Sequence, residues 1–108
     1  MKNPRKGGGP LPKTIDGKVP SWLRRALNKN TPTTKDNETM RTASREVGNN
    51  EILFPTVRMI DGKLQKLSNE DAFQMSLRKK DFVVTKGPKA ATLLSKRLSK
   101  MVSKARSD

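Results

Sequence analysis

An α+β fold, with a small ββαβα module over residues 51–108 behind an extended basic arm, is predicted by three features of the sequence. An apolar, β-rich run at 51–60 ends in Asp61-Gly62, helical periodicity returns at 69–79 and again beyond Pro88, and residues 1–20 hold Gly7-Gly8-Gly9, Pro10, Pro12 and Pro20 with no period at all.

The arm, residues 1–50, comes first. Lys2, Arg5, Lys6, Lys13 and Lys18 punctuate its Gly- and Pro-rich start, which predicts a tether that orders along a partner or a phosphate backbone, the alternative being a plain terminal coil. After Pro20, Ser21 can cap a short helix over 21–28 that places Trp22, Leu23, Ala26 and Leu27 on one face and Arg24, Arg25 and Lys29 on the other. Two turns of helix are marginal alone, so this apolar face needs a surface. Trp22, Leu23 and Leu27 are therefore read as a protein interface, with packing inside the chain as the alternative. Asn30-Thr31-Pro32-Thr33-Thr34 ends that helix. A second docking helix is expected over 36–47, with Met40, Ala43 and Val47 on one stripe, closed by Gly48-Asn49-Asn50.

The module begins at Glu51. Pro55 demotes the first strand to an edge or bulged one, and Asp61-Gly62 supplies positive-φ turn chemistry for a hairpin with residues 63–67. Ser68, three residues before Asp71, starts a helix over 69–79 in the manner of a capping box, burying Ala72, Phe73, Met75 or Ser76, and Leu77. Arg78, Lys79 and Lys80 complement the negative end of that helix. Residues 81–85 read as a third short strand. Pro88 opens the last helix, in which Ala90, Ala91, Leu94, Leu98, Met101, Val102 and Ala105 recur at helical spacing. The expected core is Ile52, Phe54, Val57, Leu64, Leu67, Phe73, Leu77, Phe82, Val84, Leu94 and Leu98.

Composition restricts function more sharply than it restricts fold. With 24 Lys+Arg against 10 Asp+Glu the chain carries +14, divided as +7 in each half, which implies a polyanion or an acidic partner surface. The absence of Cys and His removes thiolate and imidazole ligands, cysteine nucleophiles and every His-dependent triad. Glu70 and Asp71 are explained by helix capping, and Gly7-Gly8-Gly9 lacks the Lys-Ser/Thr ending of a phosphate loop. No catalytic, cofactor-binding or metal-binding residue is expected, and no enzymatic activity. Neither membrane insertion nor a signal peptide is expected, because the apolar runs are only a few residues long and the basic start lacks an apolar segment.

The residues expected to face negative charge are Arg24, Arg25, Arg78, Lys79, Lys80, Lys96, Arg97, Lys100 and Lys104, with Lys89 and Arg106 on the same last helix. Contact with DNA phosphates needs only such charge and carries no sequence readout. The aromatic residues are few and committed to the core, which disfavours stacking on single-stranded bases.

Residues Ile52-Leu53-Phe54-Pro55-Thr56-Val57-Arg58, Asp61-Gly62-Lys63-Leu64, Leu67-Ser68 with Ala72, Lys79-Lys80-Asp81-Phe82-Val83, Ala90-Ala91 and Leu98-Ser99 follow a recurrent order. Over residues 51–104 this resembles a small module of tailed-bacteriophage virion proteins, internal, ejected or structural. The commoner pattern has a Tyr in its first helix and a Gly-His-Leu-Gly-like step before the third strand, where this chain has Ser76-Leu77-Arg78-Lys79-Lys80-Asp81-Phe82. The resemblance implies a structural or assembly role; with the thin core, the Pro/Gly-rich arm and the +14 charge, the expectation is a component at the portal, tail or internal core, in the host cytoplasm before assembly and in several copies per particle. It would dock on a larger virion protein beside packaged DNA. The alternatives are a free nucleic-acid-binding accessory protein and a small host-directed adaptor or inhibitor.

Overall fold

A computed structural model describes residues 11–31, 33 and 40–107. Its elements run α1 (Ser21–Leu27), β1 (Thr42–Val47), β2 (Asn50–Pro55), β3 (Val57–Ile60), β4 (Lys63–Lys66), α2 (Asn69–Lys79), β5 (Val83–Thr85) and α3 (Pro88–Arg106). This is a small α+β domain with three helices and two antiparallel sheets.

Strand β2 organises the whole. It lies in the middle of a three-stranded sheet ordered β1-β2-β5, antiparallel to both neighbours, with Leu53 opposite Ser44 on one side and Val83 on the other. A central strand covered on both faces must be apolar without alternation, and residues 51–55 are all buried. Successive side chains then feed different layers. Leu53 joins Trp22, Leu23, Ala26, Val83, Leu98 and Val102 beneath α1 and α3. Ile52 and Phe54 join Ala72, Phe73 and Phe82 beneath α2. Phe54 and Phe73 meet edge to face, centroids 5.4 Å apart, and the Arg45 guanidinium caps the Phe73 ring at 4.1 Å.

The expected single strand over 51–60 is two strands, so the order ββαβα gives way to one with an extra strand. Pro55 has no N–H to donate, the ladder stops there, and the chain bends at Thr56, whose N–H donates to the Arg41 carbonyl at 2.7 Å. Beyond the bend, β3 pairs with β4 as a separate hairpin. Asp61 (φ 52°) and Gly62 (φ 80°) both take positive φ at its tip, the geometry that suits a two-residue hairpin turn.

The division into an arm and a module is also corrected. Residues 42–47, expected as part of a helix, form strand β1; residues 36–39 of that expectation lie outside the described residues. The three-residue apolar stripe at 36–47 was too thin to hold a helix, whereas alternating Thr42, Ser44 and Glu46 against Ala43 and Arg45 suits an edge strand, and β2 offers a full ladder to pair with. Helix α1 forms as expected, but Leu11, Val19 and Leu27 pack with it against the core of the second half, and Pro20 is fully buried. Residues 1–10 of the expected arm lie outside the described residues.

Local signals position the remaining elements. The Ser68 hydroxyl accepts the Asp71 N–H at 3.1 Å to start α2, and Lys80 ends it in the left-handed conformation, its N–H reaching the carbonyls of Ser76 and Leu77. Two expected core residues are corrected. Leu77 and Val84 are exposed, at 37% and 43%, because the inward stripe of α2 runs through Ala72, Phe73 and Ser76, and β5 is an edge strand. Leu67 and Leu94 are partly buried at the margins of the two clusters.

Candidate nucleic-acid interface

Trp22 and Leu23 have no exposed surface, so they are not available as an interface; the alternative of packing within the chain holds, and Leu27 lies half-buried beside them. The Trp22 indole N–H donates to the Asp81 carbonyl at 3.0 Å, which ties α1 to the segment between α2 and β5. That segment carries the most elaborate polar cluster of the described residues. Arg58 is 4% exposed and pairs through Nη1 with Asp81 Oδ2 at 3.1 Å, while its Nη2 donates to the Ser76 hydroxyl at 2.9 Å. Ser21 donates its N–H to Asp81 Oδ1 at 2.9 Å and its hydroxyl to Oδ2. Burial pushes the Asp81 carboxyl up, but the hydrogen bonds from Ser21 and then from Arg58 outweigh it and hold the group below the ordinary Asp value.

Arg25, expected to face a polyanion, is turned inward instead. Its guanidinium donates to the Val57 carbonyl at 3.2 Å, and burial, then the neighbouring Arg58 charge, lower its pKa against the opposing pull of Asp81. Arg106 is likewise spent inside the chain. It donates to the carbonyls of Ala26, Asn28 and Thr31 at 3.0, 2.7 and 2.7 Å, so a cation from the end of α3 satisfies the carbonyl end of α1.

The other expected cations lie on the surface in two groups. Arg24, Arg78, Lys79 and Lys80 are exposed around the start of α1 and the end of α2; Lys89, Lys96, Lys100 and Lys104 are exposed on α3, where Arg97 is half-buried. On α3 the inner stripe is Ala91, Leu98 and Val102, so Lys89, Leu93, Lys96, Lys100 and Lys104 fall on the outward side, Leu93 being 63% exposed. At ~1.5 Å per residue this row extends over roughly 22 Å.

A stronger signal than the positions of these lysines is what surrounds them in sequence. Residues 82–107 contain seven Lys and Arg and no Asp or Glu. Helix α2 is the contrast: Glu70 and Asp71 open it and Arg78 and Lys79 close it, and Glu70 is held below its ordinary pKa chiefly by its hydrogen bond from Arg45, at 2.7 Å, and by one from Gln74. No protein-family model, curated protein or solved structure matches the chain. Among the described residues no helix is long and apolar enough to cross a membrane.

Proposed function

We propose that the protein is a non-enzymatic structural component of a tailed-phage particle that lies beside packaged nucleic acid, with the lysine row of α3 against the phosphates. The observation that carries this reading is the acid-free stretch 82–107 together with the exposure of Lys89, Lys96, Lys100 and Lys104. A surface that only has to stay soluble mixes both signs, as α2 does. A row of lysines without one carboxylate repels itself, and that cost is relieved when counter-charge is supplied from outside. Duplex phosphates supply it without requiring a shaped pocket or base contacts.

The particle setting rests on the resemblance of residues 51–104. Contact with a larger particle protein falls to surfaces other than Trp22 and Leu23, since these are buried. Quantitative mass spectrometry of purified particles, before and after triggered genome release, tests the setting: stoichiometric presence supports it, and absence removes it. Duplex binding by the isolated chain, measured across a salt series, tests the lysine row, with affinity expected to fall steeply as salt rises.

A second reading, a free nucleic-acid-binding accessory protein, is favoured by one observation. Helix α1 and strand β1 are built into the same core as the second half, so Trp22, Leu23 and Ala26 are buried without a partner. Steep salt-dependent duplex binding without particle association would select it.

A further inference from the structure

Away from α3, a cleft of 370 Å³ opens between the 14–19 turn, the start of α1 and the end of α2, lined by Thr14, Asp16, Lys18, Val19, Ser21, Arg24, Lys79, Lys80 and Asp81. We propose that this cleft binds a phosphate group carrying two or more negative charges, as in a diphosphate or a terminal phosphate monoester.

Charge is the first support. Four cations, Lys18, Arg24, Lys79 and Lys80, converge on the cleft, and none of them has a side-chain hydrogen bond or ion pair among the described residues. Of the two carboxylates in the lining, Asp81 is occupied by Arg58 and by both donors of Ser21, which leaves Asp16 as the one acid free to compensate them. Immediately behind Asp81 lie two further guanidiniums, Arg58 and Arg25, each with a buried Nε that has no partner. The lining itself carries four cations and two carboxylates, a net of +2, with the Arg58 and Arg25 charges behind it.

The second support is the way the cations are held. Asp81 is tied to Ser21 and Trp22 of α1 and to Arg58 of β3, so the wall between α1 and α2 is fixed. Lys80 occupies the left-handed C-cap of α2 (φ 53°), a conformation that favours Gly or Asn; lysine in that place brings its charge to the cleft despite the backbone preference. The opposite rim is a turn closed by Thr14 N–H to the Lys18 carbonyl at 2.7 Å and by Gly17 N–H to the Thr14 carbonyl at 2.9 Å.

The number of charges separates phosphate from carboxylate. Three of the four free cations are lysines, compact point charges that meet an oxyanion from any direction, and Arg24 adds a planar fork that suits phosphate or carboxylate alike. Several uncompensated charges facing one small space call for a compact group with more than one negative charge, and a single carboxylate supplies only one. The volume is in the range that accepts a small ligand.

The test uses the full chain and inorganic pyrophosphate, followed by amide chemical shifts in ¹H–¹⁵N spectra. Saturable shifts centred on Lys18, Ser21, Arg24 and Lys80 are expected, and the double variant K18Q/R24Q, both exposed positions, should weaken binding at least tenfold with an unchanged melting temperature. K80N, which keeps the left-handed cap, should weaken it severalfold. K96Q/K100Q on α3 should leave pyrophosphate binding unaltered while weakening duplex binding, so the cleft and the α3 face stand or fall separately. A 5′-phosphorylated oligonucleotide that displaces pyrophosphate where its 5′-hydroxyl twin does not would assign the phosphate to a nucleic-acid end; displacement by a free nucleoside triphosphate alone would assign it to a nucleotide. Non-saturable shifts spread over all lysines, binding indifferent to K18Q/R24Q, or tighter binding of a Glu-rich peptide of equal charge would overturn the proposal.

Discussion

Helices α2 and α3 cover opposite faces of one three-stranded sheet, yet they dispose of charge in opposite ways. Helix α2 carries both signs: acids at its positive end, bases at its negative end, Glu70 bound to Arg45 of β1, and a buried Ser76 that serves Arg58. Helix α3 buries an apolar stripe and exposes lysines with no acid in its sequence. The same amphipathic principle builds both, so the difference lies in the outer faces alone. A helix that carries both signs sums to no net charge, whereas one that carries only cations is left with self-repulsion that the proposed phosphate contact would relieve.

The comparison can be broken most severely at the buried cluster on the α2 side. Asp81→Asn leaves Arg58 buried without its counter-charge and is expected to cost about 3–5 kcal/mol in chemical denaturation. Because Asp81 has a folded pKa below its unfolded one, its contribution is present above about pH 4 and is lost as pH falls through the folded value. Thermal melts from pH 6 downward should therefore show an acid limb that the variant flattens; an unchanged limb would mean that other carboxylates govern it.

On the α3 side, Trp22→Ala should cost about 3–5 kcal/mol through the cavity left between α1, β2 and α3. A loss below about 1 kcal/mol would return Trp22 to the surface and restore the docking-arm reading. Replacing Lys89, Lys96, Lys100 and Lys104 together by Gln should leave the melting temperature unchanged or raise it slightly. The same variant should reduce the salt slope of duplex binding by about 3.6 if all four meet phosphates. An unaltered slope would remove α3 from the interface. The smallest effect is expected at the start of α2, where Ser68→Ala forfeits the cap to Asp71 and about 1 kcal/mol of stability.

Much of the local structure was legible from residues near one another in the chain. Ser68 with Asp71, Asp61-Gly62 and Pro88 each produced the start or turn expected of them, since caps and tight turns depend on backbone geometry within a few residues. The exposed lysines of α3 were legible too, because a helical period separates an inner from an outer side as soon as the helix is placed. Arg25 and Arg106 were not. Nothing in their neighbourhoods distinguishes them from the surface cations, and their partners, Val57 and the carbonyls of 26–31, lie far away in sequence. Arg58 was likewise unremarkable until Ser76 and Asp81 were brought to it; the one available sign was an arginine inside an otherwise apolar run.

The sequence by itself determined the α+β class, the basic character, the Asp61-Gly62 turn and helices α1, α2 and α3, all of which follow from short-range periodicity and composition. Tertiary structure alone decided that 42–47 is a strand and not a helix, that 51–60 divides between two sheets, that Trp22 is core and that the buried charge pair joins β3 to the end of α2. The physical reason is the range of the interactions. A weak apolar stripe takes whichever conformation its long-range partner rewards, and β2 offers a ladder of hydrogen bonds. A buried charge is tolerable only where its counter-charge arrives from elsewhere in the fold.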